Sequence, residues 1–226
     1  MKKILLAFIA IVSFAFTTNA QSSISQMSPE DMGKLHNEGL EYLFKNYGEQ
    51  MKALKSQPAK LQSLIMEKTK EFAAKKGASI GGFSESALKA NFDTDRNGLL
   101  QSKDFKDIRE MMPKLGYSKY DSDIIGNIFD QLRPLTTIPA FNRKVQELEE
   151  KIKTDSKIQK KENVLRVLRV AKHSFSFWKG QNSGMHTLGQ TEPWEADAAG
   201  AAGGSLAGPW GVVAGAVICS AACYWL

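Results

Sequence analysis

The chain has 226 residues, 30 of them Lys or Arg and 24 Asp or Glu, for a formal charge of +6. Apolar residues make up 42% and charged residues 24%, which excludes a chain unable to bury a core and leaves room for one larger or two small domains. Cys219 and Cys223 are the only cysteines; four residues apart in a regular helix, they sit too far from each other for an unstrained bridge. His36, His173 and His186 have no spacing that completes a zinc site with them, and each reads as a surface or packing residue.

Residues 1–20, MKKILLAFIAIVSFAFTTNA, place Lys2 and Lys3 before an apolar run from Ile4 to Phe16 and end in Thr18-Asn19-Ala20. This is the layout of a secretory signal peptide cleaved after Ala20, and the run is short for a bilayer span. Cleavage removes two lysines and lowers the charge from +6 to +4. Nucleic acid is not an expected partner of an exported chain. Between Arg143 and Lys172, ten Lys or Arg stand against five Asp or Glu, interleaved as on a solvated helix face.

Helical signals dominate the mature chain. Ser28-Pro29-Glu30-Asp31 reads as an N-cap with proline and acidic residues in the first turn, and Met32, Leu35, Leu43 and Tyr47 predict a helix from about Pro29 to Tyr47. Ser56 as cap and Pro58 open a second, with Leu61, Leu64, Ile65 and Phe72 on one face and Lys75, Lys76 and Gly77 at its end. Ser84 caps a short third helix with Leu88 and Phe92, and a fourth carries Phe105, Ile108, Met111 and Met112 and stops at Pro113. Ser118 with Asp121 reads as a capping pair for a fifth through Ile124, Ile128 and Leu132. The stripes Phe141, Val145, Leu148, Ile152 and Val164, Leu168, Ala171, Phe175, Trp178 are out of register across Thr154-Asp155-Ser156, which predicts a helical hairpin with core-facing stripes. No GxGxxG, Walker-type loop, GxSxG or HExxH occurs, and no nucleophile has an evident base, so the chain reads as a non-enzyme.

The stretch from Asp93 to Phe105, DTDRNGLLQSKDF, has the pattern of a twelve-residue cation loop. Calcium takes six to eight oxygens, and Asp93, Asp95 and Asn97 fill positions one, three and five. Gly98 stands where the backbone must turn with positive φ. Leu99 offers its carbonyl, Gln101 binds through a water, Asp104 closes the shell, and Leu100 points to the core. With its helical flanks, the segment from about Glu85 to Met112 resembles an EF-hand. The resemblance implies a helix–loop–helix unit with calcium held by Asp93, Asp95, Asn97, Leu99, Gln101 and Asp104. Asp104 stands where the family has a bidentate glutamate, which lowers affinity and discrimination against magnesium. That closing aspartate is similar to the loops of dockerins, which carry two; the nearest second candidate here, from Asp121, has Ile125 and Leu132 at ligand positions.

Beyond a linker at 181–195, nothing from Ala198 to Leu226 is charged, which is long enough to span a bilayer. Gly204 and Gly208, then Gly211 and Gly215, repeat the small-xxx-small spacing of close-packed membrane helices. The tail also resembles Gly/Ala-rich bacteriocin peptides with terminal aromatic residues. Three readings stand: a helical hairpin packed on the domain, a membrane insertion, or a membrane-active peptide. With Ser174, Phe177 and Trp178 closing the helical body before it, the whole resembles exported bacterial proteins of that layout, which implies export and no particular activity.

The sequence thus predicts an all-α protein: a signal peptide at 1–20, a helical domain at 21–180 with an EF-hand-like unit at 85–112, a linker at 181–195 and an apolar tail at 196–226. The expected function is calcium-dependent structure in an exported binding module, secreted or periplasmic. The alternative is a membrane-active, bacteriocin-like protein working through residues 196–226.

Overall fold

The computed structural model describes residues 27–78, 80, 108–180 and 192–225, and among them every regular element is a helix. They are α1 (Pro29–Ala53), α2 (Pro58–Lys75), α3 (Ile108–Met111), α4 (Lys119–Leu132), α5 (Ile138–Thr154), α6 (Lys161–Gly180), α7 (Pro193–Gly204) and α8 (Gly208–Trp225). The all-α expectation holds. The signal segment, the predicted helix around Ser84 and the cation loop lie outside the described residues.

Helix α1 opens as its sequence dictates, with the Ser28 hydroxyl accepting the Asp31 backbone N–H at 3.1 Å. It runs past Tyr47 to Ala53, because Met51 continues the buried stripe of Met32, His36, Leu40 and Leu43. The cap of α2 is Gln57 rather than Ser56. Pro58 disfavours helical backbone in the residue before it, so the cap falls there, and no side chain bonds the first turn. Its far end is a Schellman stop: Gly77 has φ +74°, Ala78 N–H reaches the Ala73 carbonyl at 2.9 Å and Gly77 N–H that of Ala74 at 3.0 Å. Chain direction does not break at Pro113 either. The single turn of α3 tightens into a 3₁₀ turn at Met112–Leu115, whose first turn has no use for the missing N–H.

Ser118 caps α4 by accepting the Asp121 N–H at 3.0 Å, but Asp121 does not complete a capping box. Its buried carboxylate accepts the N–H groups of Gln159 and Lys160 at 3.0 Å each, tying α4 to the entrance of α6. The predicted hairpin forms as α5 and α6, closed by the turn after Asp155, with Phe141 stacked on Phe175 at 4.0 Å. Part of its basic content is held in ion pairs. Lys144 and Lys151 flank Glu147, Lys153 bonds Glu149 and Glu150, and Arg169 joins Glu149 to Glu30 across to α1.

Outside the core, α1 and α2 are clasped by Glu71. Its carboxylate accepts from Tyr42 at 2.7 Å and Lys68 at 3.1 Å, and Lys75 lies 3.1 Å away. The Tyr42 hydroxyl, then Lys75 and Lys68, hold the Glu71 carboxyl down to about 2 from its ordinary 4.5. A carboxylate depressed in the folded state stabilises the fold above its unfolded value, and that contribution is lost as pH falls from about 4.5 through about 2. Glu71→Gln is therefore expected to be less stable than the parent at neutral pH, with the gap closing across that window in acid denaturation monitored by circular dichroism.

The centre of the molecule is formed by α7 and α8. They pack on each other as an antiparallel pair; α8 lies against α1 and α2, and α7 against α6. Amphipathic helices thus wrap an apolar hairpin.

Candidate functional site in a buried glycine-rich hairpin

Residues Trp194 to Gly204 of α7 and Trp210 to Ala222 of α8 are all buried. Neither helix has a polar face. A helix apolar on every side belongs in a protein core or a membrane, and α8, at 18 residues, is long and apolar enough to cross one.

The two helices touch through their backbones. Gly200 and Gly204, four apart on α7, face Gly215 and Gly211, four apart on α8. A Cβ on Gly204 would overlap the Gly211 carbonyl oxygen, one on Gly215 would overlap that of Gly200, and one on Gly200 would also meet Cys219 Sγ at 2.7 Å. Small-xxx-small spacing is thus used, but Gly208 is not part of the seam. It has φ +78° and makes the turn, for which glycine has no steric cost. Cys219 and Cys223 remain free thiols on one helix.

The turn is uncharged and reaches the surface, with Ala207 exposed and Gly208 and Pro209 half-buried. Beneath it the Ser205 hydroxyl donates to the Ala202 carbonyl at 2.7 Å and meets the Tyr117 hydroxyl at 2.6 Å.

The opposite end carries a polar anchor. Asp197, the last charged residue before the uncharged run, is fully buried. Its Oδ2 accepts from Ser174 Oγ at 2.5 Å and Trp178 Nε1 at 3.1 Å, both on α6. His36 Nε2 of α1 lies 3.2 Å from the same oxygen, at ion-pair distance but not aligned as a hydrogen bond. Ser174 and His36 are also fully buried, and Asp197 Oδ1 has no hydrogen-bond partner among the described residues. Serine, histidine and aspartate here do not form a nucleophile–base relay, because the hydroxyl donates to the carboxylate and not to the imidazole. The cluster holds α7 in one register against α6 and α1. Two residues earlier, Glu195 receives Arg133 at 2.9 and 3.1 Å, a second tie at the same end.

Trp178 extends the anchor outward. Its ring stacks on Tyr224 at 5.8 Å and meets Phe44 edge-on at 5.9 Å, while Trp225 stands 4.6 Å from Tyr224 and 5.6 Å beneath Lys55 Nζ.

Of the residues the sequence singles out, Asp93, Asp95, Asn97, Leu99, Gln101 and Asp104 all lie outside the described residues. Among the described residues no three His, Cys, Asp or Glu side chains converge as metal ligands. His36, Ser174 and Asp197 were not signalled as a group. The available clues were the isolation of Asp197 before an uncharged run and the four-residue spacing of Ser174 and Trp178. Comparison with known protein families, curated proteins and solved structures found no match.

Proposed function

We propose that the protein acts on membranes, with the α7–α8 hairpin as the inserting element and the amphipathic helices around it as its cover in water. One observation carries this reading: the hairpin is held by contacts between its own glycine backbones, so the pair stays intact when the cover leaves. Its residues from Ala198 onward carry no charge to desolvate, and export, as residues 1–20 imply, would bring the chain to a membrane surface.

Length sets the depth. At 1.5 Å per residue, α8 is about 27 Å long and α7 about 18 Å, against roughly 30 Å of hydrocarbon. Asp197 stands seven residues before Gly204, or about 10 Å from the turn, so full crossing would carry a carboxylate deep into lipid. The hairpin therefore enters turn-first by about 10 Å, short of the bilayer midplane, leaving Asp197 and Glu195 at the headgroups. Trp210, next to the turn, is the natural reporter. Lipids brominated deep in their acyl chains are expected to quench Trp210 fluorescence in the parent, judged by difference from Trp210→Phe; no such component on vesicle-bound protein would sink the reading.

A second reading rests on the loop Asp93–Asp104. We propose that it binds calcium through the six residues that its resemblance to EF-hands implies, weakly and for structure. With three carboxylates and no paired loop, affinity is expected at about 10⁻⁴ to 10⁻³ M. Millimolar calcium should then raise the melting temperature of the parent and leave an Asp93→Ala, Asp104→Ala variant unchanged.

A further inference from the structure

We infer that the aromatic end of the molecule, where α8 finishes, is a docking surface for an anionic lipid bilayer; this rests on the proposed membrane activity and names a second lipid-facing surface, at the end opposite the turn. Phe44, Trp178, Tyr224 and Trp225 come from three helices, α1, α6 and α8, and pack ring on ring with none fully buried. Half-buried tryptophan and tyrosine rings suit the bilayer interface through their apolar bodies; the Trp178 N–H is held by Asp197 and the Trp225 N–H is itself buried.

The charge around the rings selects the lipid. Lys45 lines the groove between α1 and the end of α8, Lys55 caps the Trp225 ring, and Lys179 follows Trp178; all three are exposed. Against them the groove holds Glu49, also exposed. The balance is positive by two charges, three lysines less one glutamate. Long lysine stems lie along apolar surface while their ammonium groups reach phosphate, so the pattern of rings ringed by lysines fits an anionic leaflet. No other part of the described surface gathers half-buried rings from three helices.

The position of the patch matters as much as its composition. Trp178 belongs both to the aromatic cluster and to the Asp197 anchor, its ring stacked on Tyr224 and its N–H donating to the carboxylate. Lipid that draws the rings into the interface pulls on the bond that fixes α7.

The test uses the full chain and sedimentation with two vesicle types, phosphatidylcholine alone and phosphatidylcholine with phosphatidylglycerol. Binding is expected on the anionic vesicles, weakening with added salt. Lys45→Ala with Lys55→Ala, both exposed and thus harmless to the fold, should lose affinity on the order of fivefold per lysine. Equal binding to the two vesicle types, an unchanged affinity in the double variant, or no binding at all would overturn the docking surface. Trp210 quenching separates the two ideas. Bound protein with Trp210 unquenched supports docking and ends the insertion reading, whereas quenching on neutral vesicles alone sustains insertion and ends this one.

Discussion

Gly204→Ala is expected to destabilise the protein by about 3 kcal/mol, the upper end for one added methyl in a packed core. The added Cβ would fall on the Gly211 carbonyl oxygen and crowd the Val212 nitrogen, which is backbone and cannot rotate away. Relief requires α7 and α8 to separate, and that loosens the opposite contact of Gly200 with Gly215 as well. Gly48 gives the control. It lies inside α1 with nothing within 4 Å of a new Cβ, so Gly48→Ala should stabilise by about 0.5–1 kcal/mol through helix propensity. Urea denaturation of both variants reads opposite signs from one chemical change. A loss below about 1 kcal/mol at Gly204 would mean that the seam is not a close backbone contact, and the self-supporting hairpin would lose its basis.

The same contacts change how the C-terminal segment must be studied. Leu40, Leu43, Phe72 and Phe175 are buried in one cluster with the apolar side chains of α7 and α8. Removing residues 193–226 would expose the stripes of α1, α2 and α6 together. A truncated chain that fails to bind liposomes would therefore report lost folding as readily as lost membrane contact. Point changes at the hairpin and at the docking lysines avoid that ambiguity.

Much of the architecture was legible because helices announce themselves through spacing. The stripe Phe141, Val145, Leu148, Ile152 is buried throughout, and Ser28 and Ser118 cap the helices that their sequences suggest. What spacing does not carry is partnership across the chain. Composition marked residues 198–226 as apolar and close-packing, yet which glycines would meet was misassigned. The turn took Gly208, and the seam took Gly200 with Gly204 instead. Asp121 illustrates the same limit: its position suggested a local capping role, while its carboxylate serves backbone groups 38 and 39 residues away. The candidate site was the least legible part. His36, Ser174 and Asp197 come from three helices, the first more than a hundred residues from the other two, and no spacing in the sequence links them.

Asp197→Ala is expected to be the most damaging single change at that site, at about 4 kcal/mol, within the range for breaking a buried charged cluster. It strands the fully buried Ser174 hydroxyl and His36 imidazole and removes the acceptor of the half-buried Trp178 N–H. Asp197→Asn should cost less, about 2 kcal/mol, since one amide oxygen still accepts from Ser174 and Trp178 while the charge facing His36 is lost. Because the three partners share one oxygen, Ser174→Ala combined with Asp197→Ala should cost less than the sum of the two changes. The asparagine variant then separates storage from mere packing. If the hairpin is only core, weakening the anchor lowers stability and does nothing for lipid. If it is stored for insertion, Asp197 ends at the headgroups, where asparagine is tolerated, so the loss falls on the water-soluble state alone. A shift of about 2 kcal/mol moves the balance toward the inserted state roughly thirtyfold. Trp210 quenching by deep-brominated lipids should therefore appear at correspondingly lower vesicle concentration in Asp197→Asn than in the parent, and a folded variant that inserts no more readily would leave the hairpin as core alone.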